Sequence, residues 1–143
     1  MKSTFIDAGP LIALFSPRDK YHDRALSFLE NYQGKLVTTW PVITEAYYML
    51  DFDGRAQVGL LEWLNRGAVE IYDIHQHEIQ DLVDLTEKYH DLPMDLADAT
   101  LLQAANQLHL QEIITIDSDF NVYRTTKNRM LKNVFKEGRK GKA

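Results

Sequence analysis

The sequence predicts an α/β fold, a three-layer α/β/α sandwich built around a short, mainly parallel central sheet. Three observations lead there. Apolar runs of strand length recur along the chain, stretches with helical periodicity separate them, and neither an internal repeat nor a domain linker interrupts the pattern. Strands alternating with helices imply parallel pairing, with helices covering both faces of the sheet.

The elements follow in order. Thr4 to Asp7 reads as a short buried strand, and Gly9-Pro10 opens a helix through Leu11, Ile12 and Phe15. Proline suits a first helical turn, where its missing N–H costs nothing. After a loop at Ser16 to Asp19, Ala25, Phe28, Leu29 and Tyr32 recur at helical spacing from Tyr21 to Tyr32. Gly34 closes that helix, and Leu36 to Thr39 forms the second strand. Pro41 begins a helix carrying Val42, Ile43, Ala46, Met49 and Leu50, which Asp53-Gly54 breaks. Ala56 to Leu64 is the next helix, ended by Gly67, and Val69 to Ile74 is the third strand. His75 to His90 reads as a helix with an apolar face of Ile79, Leu82, Val83 and Leu85. A break at Pro93 precedes a long helix from Met94 to Leu110, then a fourth strand from Ile113 to Ile116. Val122-Tyr123 is expected to add a fifth strand at an edge, and Thr126 to Phe135 to dock as a short amphipathic helix through Met130, Leu131, Val134 and Phe135. The division is residues 1–125 as the body, and 126–143 as a basic segment belonging to the same single domain.

Composition narrows the function. The chain has 143 residues, 45% of them hydrophobic and 26% charged, which suffices for one real core. It has no cysteine, which excludes disulfides, thiolate metal sites and cysteine nucleophiles, and fits a reducing cytoplasm. The apolar start, Phe5 to Phe15, is broken by Asp7, Gly9 and Pro10 and is too short to span a bilayer. It lacks a signal-peptide cleavage pattern, so a soluble cytoplasmic protein without a membrane partner is expected. Net charge is −5, but residues 1–123 carry −12 and residues 124–143 carry +7. So acidic a body repels nucleic acid unless cations offset some carboxylates. The basic end suits phosphates, although Arg139-Lys140-Gly141-Lys142 also reads as a frayed terminus.

Four acids stand where an acid is costly. Asp7 and Asp117 each end an apolar strand at its carboxyl end, the side on which open parallel sheets bind ligands. Glu45 lies within Val42-Ile43-Thr44-Glu45-Ala46, on what reads as the inner part of a helix. Asp98 lies within Leu96-Ala97-Asp98-Ala99, on the most buried-looking helix of the chain. Few lysines or arginines are near them in sequence, and a buried carboxylate without a partner takes up a proton. A hard divalent cation, Mg²⁺ or Mn²⁺, satisfies an oxygen-only set and activates water for attack at phosphorus. Ordinary explanations exist for single members: Asp7 as a helix N-cap, Asp117 as an Asx turn, Glu45 paired with a distant arginine. The four together point to metal-dependent phosphoryl chemistry.

These residues resemble the PIN-domain nucleases, and within them the VapC-type ribonuclease toxins. The resemblance runs from Phe5 to about Arg124 and is carried by Phe5-Ile6-Asp7-Ala8-Gly9-Pro10, Val42 to Ala46, Leu96 to Ala99 and Ile114-Thr115-Ile116-Asp117-Ser118-Asp119-Phe120. It implies Asp7, Glu45, Asp98 and Asp117 as catalytic and metal-binding residues, one or two Mg²⁺ or Mn²⁺ ions, and endonucleolytic cutting of RNA. It further implies a cognate antitoxin and a homodimer. Many members carry Ser or Thr after the first acid, whereas this chain has Ala8-Gly9; Thr115 supplies a hydroxyl near the fourth. Asp95 and Asp119 are extra acids beside the set, Asp95 also suiting the first turn of a helix and Asp119 standing as an alternate ligand. Arg124, Lys127, Arg129 and Lys132 are the candidate RNA contacts.

Other features carry less. The five histidines show no zinc-binding spacing beside these acids, and neither a nucleophile elbow nor a phosphate-binding Gly-rich loop is present. Tyr47-Tyr48, with Trp40, Phe52 and Trp63, read as core and helix packing rather than a partner groove. Rival readings are a DNA nuclease or phosphatase, and a catalytically silent protein-binding domain.

Overall fold

The computed structural model describes residues 2–92 and 94–135, so Pro93 and the basic end from 136 onward lie outside the described residues. Five parallel strands form one sheet in the order β3-β2-β1-β4-β5. In chain order the elements are β1 (Ser3–Ile6), α1 (Ala8–Phe15), α2 (His22–Asn31), β2 (Lys35–Thr39), α3 (Trp40–Met49) and α4 (Gly54–Asn65), then β3 (Val69–Tyr72), α5 (Ile79–Lys88), α6 (Leu96–Leu108), β4 (Glu112–Ile114) and β5 (Lys132–Asn133).

The topology places the site. From β1 the chain steps outward to β2 and β3, then returns across the sheet to β4 on the other side of β1. Right-handed crossovers therefore put α1 to α4 on one face and α5 and α6 on the other. The packing agrees for α1 against α2, α3 and α4 and for α5 against α6, while α3 also packs against α6. Strand order reverses between β1 and β4, so a crevice opens at their carboxyl ends. Asp7 directly follows β1, and Asp117 follows β4 by three residues.

The core is what the apolar runs require. Phe5, Ile6, Leu11, Val42, Leu60, Leu101, Leu102, Ile113 and Ile114 are buried together. α6 is the central helix, with every residue from Ala97 to Ala105 buried. Its one buried amide, Gln103, donates to Glu78 Oε1 at 2.9 Å and Asp81 Oδ2 at 3.0 Å. Glu78 is buried too, and also accepts from the Tyr72 hydroxyl and the His75 N–H, both at 2.9 Å. Burial opposes its charge, but these donors outweigh it and lower its carboxyl to about 2. This network ties α5 to α6, because α5 buries little. Ile79 and Val83, expected on its apolar face, are exposed, and its start is a single 3₁₀ turn at Gln76–Glu78. His22 has a structural role, its Nδ1 donating to the Ala13 carbonyl at 2.8 Å and tying α2 to α1.

The carboxyl-terminal part differs from expectation. Val122-Tyr123 is not a strand but follows a 3₁₀ turn at Ser118–Asn121. Nor is 126–135 a helix. Thr125 to Arg129 form a turn with Asn128 in the left-handed region, and Lys132–Asn133 supply the fifth strand against β4. Leu131 and Phe135 are buried as expected, but from an extended chain. Leu131, Val134 and Phe135 do not fix helical spacing: in so short a run, burial at both ends suits either geometry.

Gln103→Leu keeps the volume and removes one donor from buried Glu78 and one from exposed Asp81. A loss of about 1–3 kcal/mol is expected in urea denaturation at pH 7. Because the Glu78 pKa is depressed, its contribution is present above its unfolded value of about 4.3 and lost as pH falls toward 2. The deficit of the variant should therefore shrink in that window, and an equal deficit at pH 7 and pH 3 would contradict this account.

Candidate metal centre

Local hydrogen bonds to backbone N–H groups hold Asp7, Asp95 and Asp117 in place. Asp7 is the N-cap of α1, its Oδ1 accepting from the Ala8 N–H at 2.8 Å. Asp117 caps the 3₁₀ turn, accepting from the Asp119 N–H at 2.9 Å. Asp95 is the N-cap of α6, accepting from the Asp98 N–H at 2.8 Å, and this places Asp98 in the first turn of that helix. Helix starts favour negative charge. The ordinary roles of Asp7, Asp117 and Asp95 as caps are thus all present, and they coexist with convergence of the side chains.

That convergence is tight. Asp7, Asp98 and Asp117 each present a carboxylate oxygen within 4.8 Å of the others. Asp7 and Asp98 are each only 5% exposed. The Thr115 hydroxyl joins the first acid to the fourth: it donates to Asp7 Oδ2 at 2.8 Å and accepts from the Asp117 N–H at 2.9 Å. Gly9 lets α1 approach this segment closely, since a Cβ there would lie 3.3 Å from Ile116 Cδ1.

Two contributors were not legible in the sequence. Asn133 in β5 holds the Thr115 backbone from both sides, its Nδ2 donating to the carbonyl at 3.0 Å and its Oδ1 accepting from the N–H at 3.3 Å. Tyr123, expected in an edge strand, is buried with its hydroxyl donating to Asp98 Oδ2 at 3.0 Å. Burial and the Asp98 carboxylate push the Tyr123 phenol well above its ordinary range, so it keeps its proton and stays a donor. No periodicity or motif marks either residue, because each acts across 18 or more residues of chain.

The remaining candidates fall elsewhere. Glu45 is exposed, not inward-facing; it stands at the rim, where desolvation and the charges of Asp95, Asp7 and Asp117 raise its pKa. α3 buries Val42, Ile43 and Ala46 and turns Glu45 outward. Asp119 is half-buried, its N–H capped by Asp117, and lies outside the converging trio. Arg124 folds back, its Nη1 donating to the carbonyls of Asn121, Val122 and Tyr123. Lys127, Arg129 and Lys132 are exposed but not brought to the cluster. Lys127 and Arg129 neighbour His109 at the far end of α6, about 20 Å of helix from its start, and Lys132 pairs with Glu112 at the amino end of β4.

Crowded carboxylates without a cation hold protons. Burial first, then the charges of Asp95 and Asp7, raise Asp98 to about 8. Burial raises Asp7 to about 6, against the opposing Thr115 and Ala8 hydrogen bonds, and burial also raises Asp117. The ion pairs among the described residues involve Glu112, Glu70, Asp53, Glu78 and Asp91, and none of the cluster. An oxygen-only set with no basic partner there fits a hard divalent cation, and its lack of histidine disfavours zinc. The aromatic helices also depart from the core expected of them. Trp40, Tyr47, Tyr48 and Phe52 are exposed, whereas Trp63 is half-buried against Phe15. Among the described residues, no helix is long and apolar enough to cross a membrane.

Comparison with known proteins agrees with this architecture. The PIN domain family matches residues 4–125. A structure of VapC20 from Mycobacterium tuberculosis, described as a sarcin–ricin-loop-cleaving toxin, superposes with a TM-score of 0.76 at 17% identity, covering 83% of this chain and 93% of that one. A toxin–antitoxin complex from Klebsiella pneumoniae contains a chain that superposes with a TM-score of 0.60 at 23% identity, covering 80% of this chain and 87% of that one. No curated protein sequence matches. At these identities the likeness is one of fold, a VapC-like toxin fold bearing an acidic cluster.

The raised carboxyl values set a pH dependence. A group whose folded pKa lies above its unfolded value stabilises below the unfolded value, and that contribution is lost as pH rises through the folded one. In EDTA the melting temperature should therefore fall between pH 5 and pH 9, through the Asp7 and Asp98 values of about 6 and 8. Asp98→Asn should flatten the upper part of that fall and melt higher than wild type at pH 8. A wild-type profile flat over this range would refute the assignment.

Proposed function

The chain belongs to the PIN-domain family, and from that footing we propose that it is a divalent-metal-dependent endoribonuclease, the toxin of a toxin–antitoxin pair. One observation carries the reading: three carboxylates from separate elements meet within 4.8 Å at the strand-order reversal, with no ion pair to any of them among the described residues. Asp7, Asp98 and Asp117 hold one or two Mg²⁺ or Mn²⁺ ions, directly or through water, and Glu45 contributes from the rim. When bound, the cation supplies an acidified water as nucleophile and offsets charge on the phosphoryl oxygens. Thr115 orients Asp7 and fixes the backbone of Asp117. Asp98 must surrender its proton as the cation enters, so binding releases protons and weakens at low pH.

The toxin reading adds a protein partner. Trp40, Tyr48, Met49 and Phe52 are exposed on α3 and just beyond it, and this reading assigns them to a partner. A cognate antitoxin and a second copy of the chain are the partners this reading calls for, in the cytoplasm.

RNA cleavage by the partner-free protein should require Mg²⁺ or Mn²⁺, stop in EDTA and fall by more than about 100-fold in Asp98→Asn, since even outer-sphere partners of a metal are worth about 10–100-fold. Glu45→Gln should lose less. Failure to cut a broad RNA panel, with no rise in melting temperature on adding metal, would favour a silent binding domain, and preference for DNA would favour the DNA-nuclease rival.

The basic segment is better tested by substitution than by truncation, because removing 126–143 also removes β5 and buried Leu131 and Phe135. Replacing Lys127 and Arg129 by serine should lower the salt slope of RNA binding by about one for each phosphate that the variant no longer neutralises. An unchanged slope would remove both from the RNA footprint.

A further inference from the structure

We infer that Tyr123 is a positioning residue for the metal-binding carboxylate of Asp98. The inference rests on the metal-dependent reading above. The Tyr123 side chain is 1% exposed, and its hydroxyl donates to Asp98 Oδ2 at 3.0 Å. A phenol has one proton to give, and a carboxylate offers about four lone-pair sites. The bond therefore restrains the carboxylate through one site and leaves the others free, in a group that has an oxygen within 4.8 Å of those of Asp7 and Asp117.

The phenol is itself held. Its ring meets Tyr89 edge-on at 5.0 Å and Phe120 edge-on at 5.1 Å. The Tyr89 hydroxyl accepts from the Arg124 N–H at 2.9 Å, which anchors the next residue along. The Arg124 guanidinium donates to the carbonyls of residues 121 to 123 and closes the turn. Phe120 belongs to the 3₁₀ turn capped by Asp117. The segment 117–123 therefore begins with one acid of the cluster and ends on a side chain that grips another. A ring needed only for packing would fill the same space without its hydroxyl. Here the hydroxyl is aimed at a buried carboxylate that also lies in the converging trio.

The test is Mn²⁺ binding to the whole protein, followed by the disappearance of the free-ion EPR signal, so that no cleavage is needed. Tyr123→Phe keeps the ring and removes only the hydroxyl. Its Mn²⁺ dissociation constant should rise by about 10–100-fold. Its RNA cleavage should require correspondingly more Mn²⁺ and recover toward wild type once the metal is saturating, which general damage to the fold would not allow. Tyr72→Phe is the control, because it removes a phenol hydroxyl from a different carboxylate, Glu78, outside the cluster. It should bind Mn²⁺ within about twofold of wild type. Wild-type affinity in Tyr123→Phe would overturn the inference, as would an equal weakening in Tyr72→Phe. If wild type itself fails to bind Mn²⁺, the metal reading falls, and this inference falls with it; the wild-type titration alone identifies that case.

Discussion

Three carboxylates held within 4.8 Å of one another repel, and most of the local structure is organised to bear that repulsion. Their positions come from the backbone. Asp7 and Asp117 are fixed as caps, and Asp98 is fixed through the cap that Asp95 places on its own N–H. Each helix or turn start brings a partial positive charge to the same crevice. The Thr115 hydroxyl completes the frame by bridging Asp7 and the Asp117 backbone. Those contributions do not neutralise the cluster, since Asp98 still holds its proton to about pH 8. No ion pair among the described residues supplies the opposite charge, and the frame suits a cation.

The topology makes this arrangement possible. A sheet ordered β3-β2-β1-β4-β5 sends its connections away on both sides of the β1–β4 junction. The loop ends following these two strands are left open, and the start of α6, packed against α3, closes in from the side. β5 contributes from a distance. Only two residues long, it carries Asn133, whose amide holds the backbone of Thr115 and so sets the hydroxyl on which two of the acids depend. The carboxyl-terminal segment is therefore part of the site's support, acting through Thr115 rather than on the acids themselves.

Around the crevice, charge is distributed unevenly. The rim adds Glu45, Asp95 and Asp119 to the buried acids, while Lys127, Arg129 and Lys132 sit toward the opposite end of α6 and the sheet. Arg124, nearest to the cluster in sequence among the basic candidates, spends its guanidinium on closing a turn. On the proposed function, an RNA strand approaching this end would meet a negative surface until cations bind, and metal binding would precede substrate binding as well as chemistry.

Much of this was determined by the sequence alone. Apolar runs alternating with helical periods dictate a parallel sheet, because buried strands need apolar side chains on both faces and parallel connections need helices. Acids that end such runs, as Asp7 and Asp117 do, must lie at the carboxyl edge of that sheet whatever else happens. Asp98 stands in a helix whose neighbouring positions Ala97, Ala99, Leu101 and Leu102 are apolar, which favours burial. What tertiary structure decided depends on side-chain direction or distant partners. The sequence around Glu45 reads as inward-facing, but α3 buries positions 42, 43 and 46 and turns 45 to the solvent. The segment 126–135 has apolar residues that suit a helix, yet pairing with β4 draws it into a strand. Tyr123 and Asn133 carry no local mark at all. Their roles exist only because the fold brings them, across 25 and 18 residues of chain, onto Asp98 and Thr115. Local patterns record burial and backbone preference, whereas a hydrogen bond between distant side chains is written only in three dimensions.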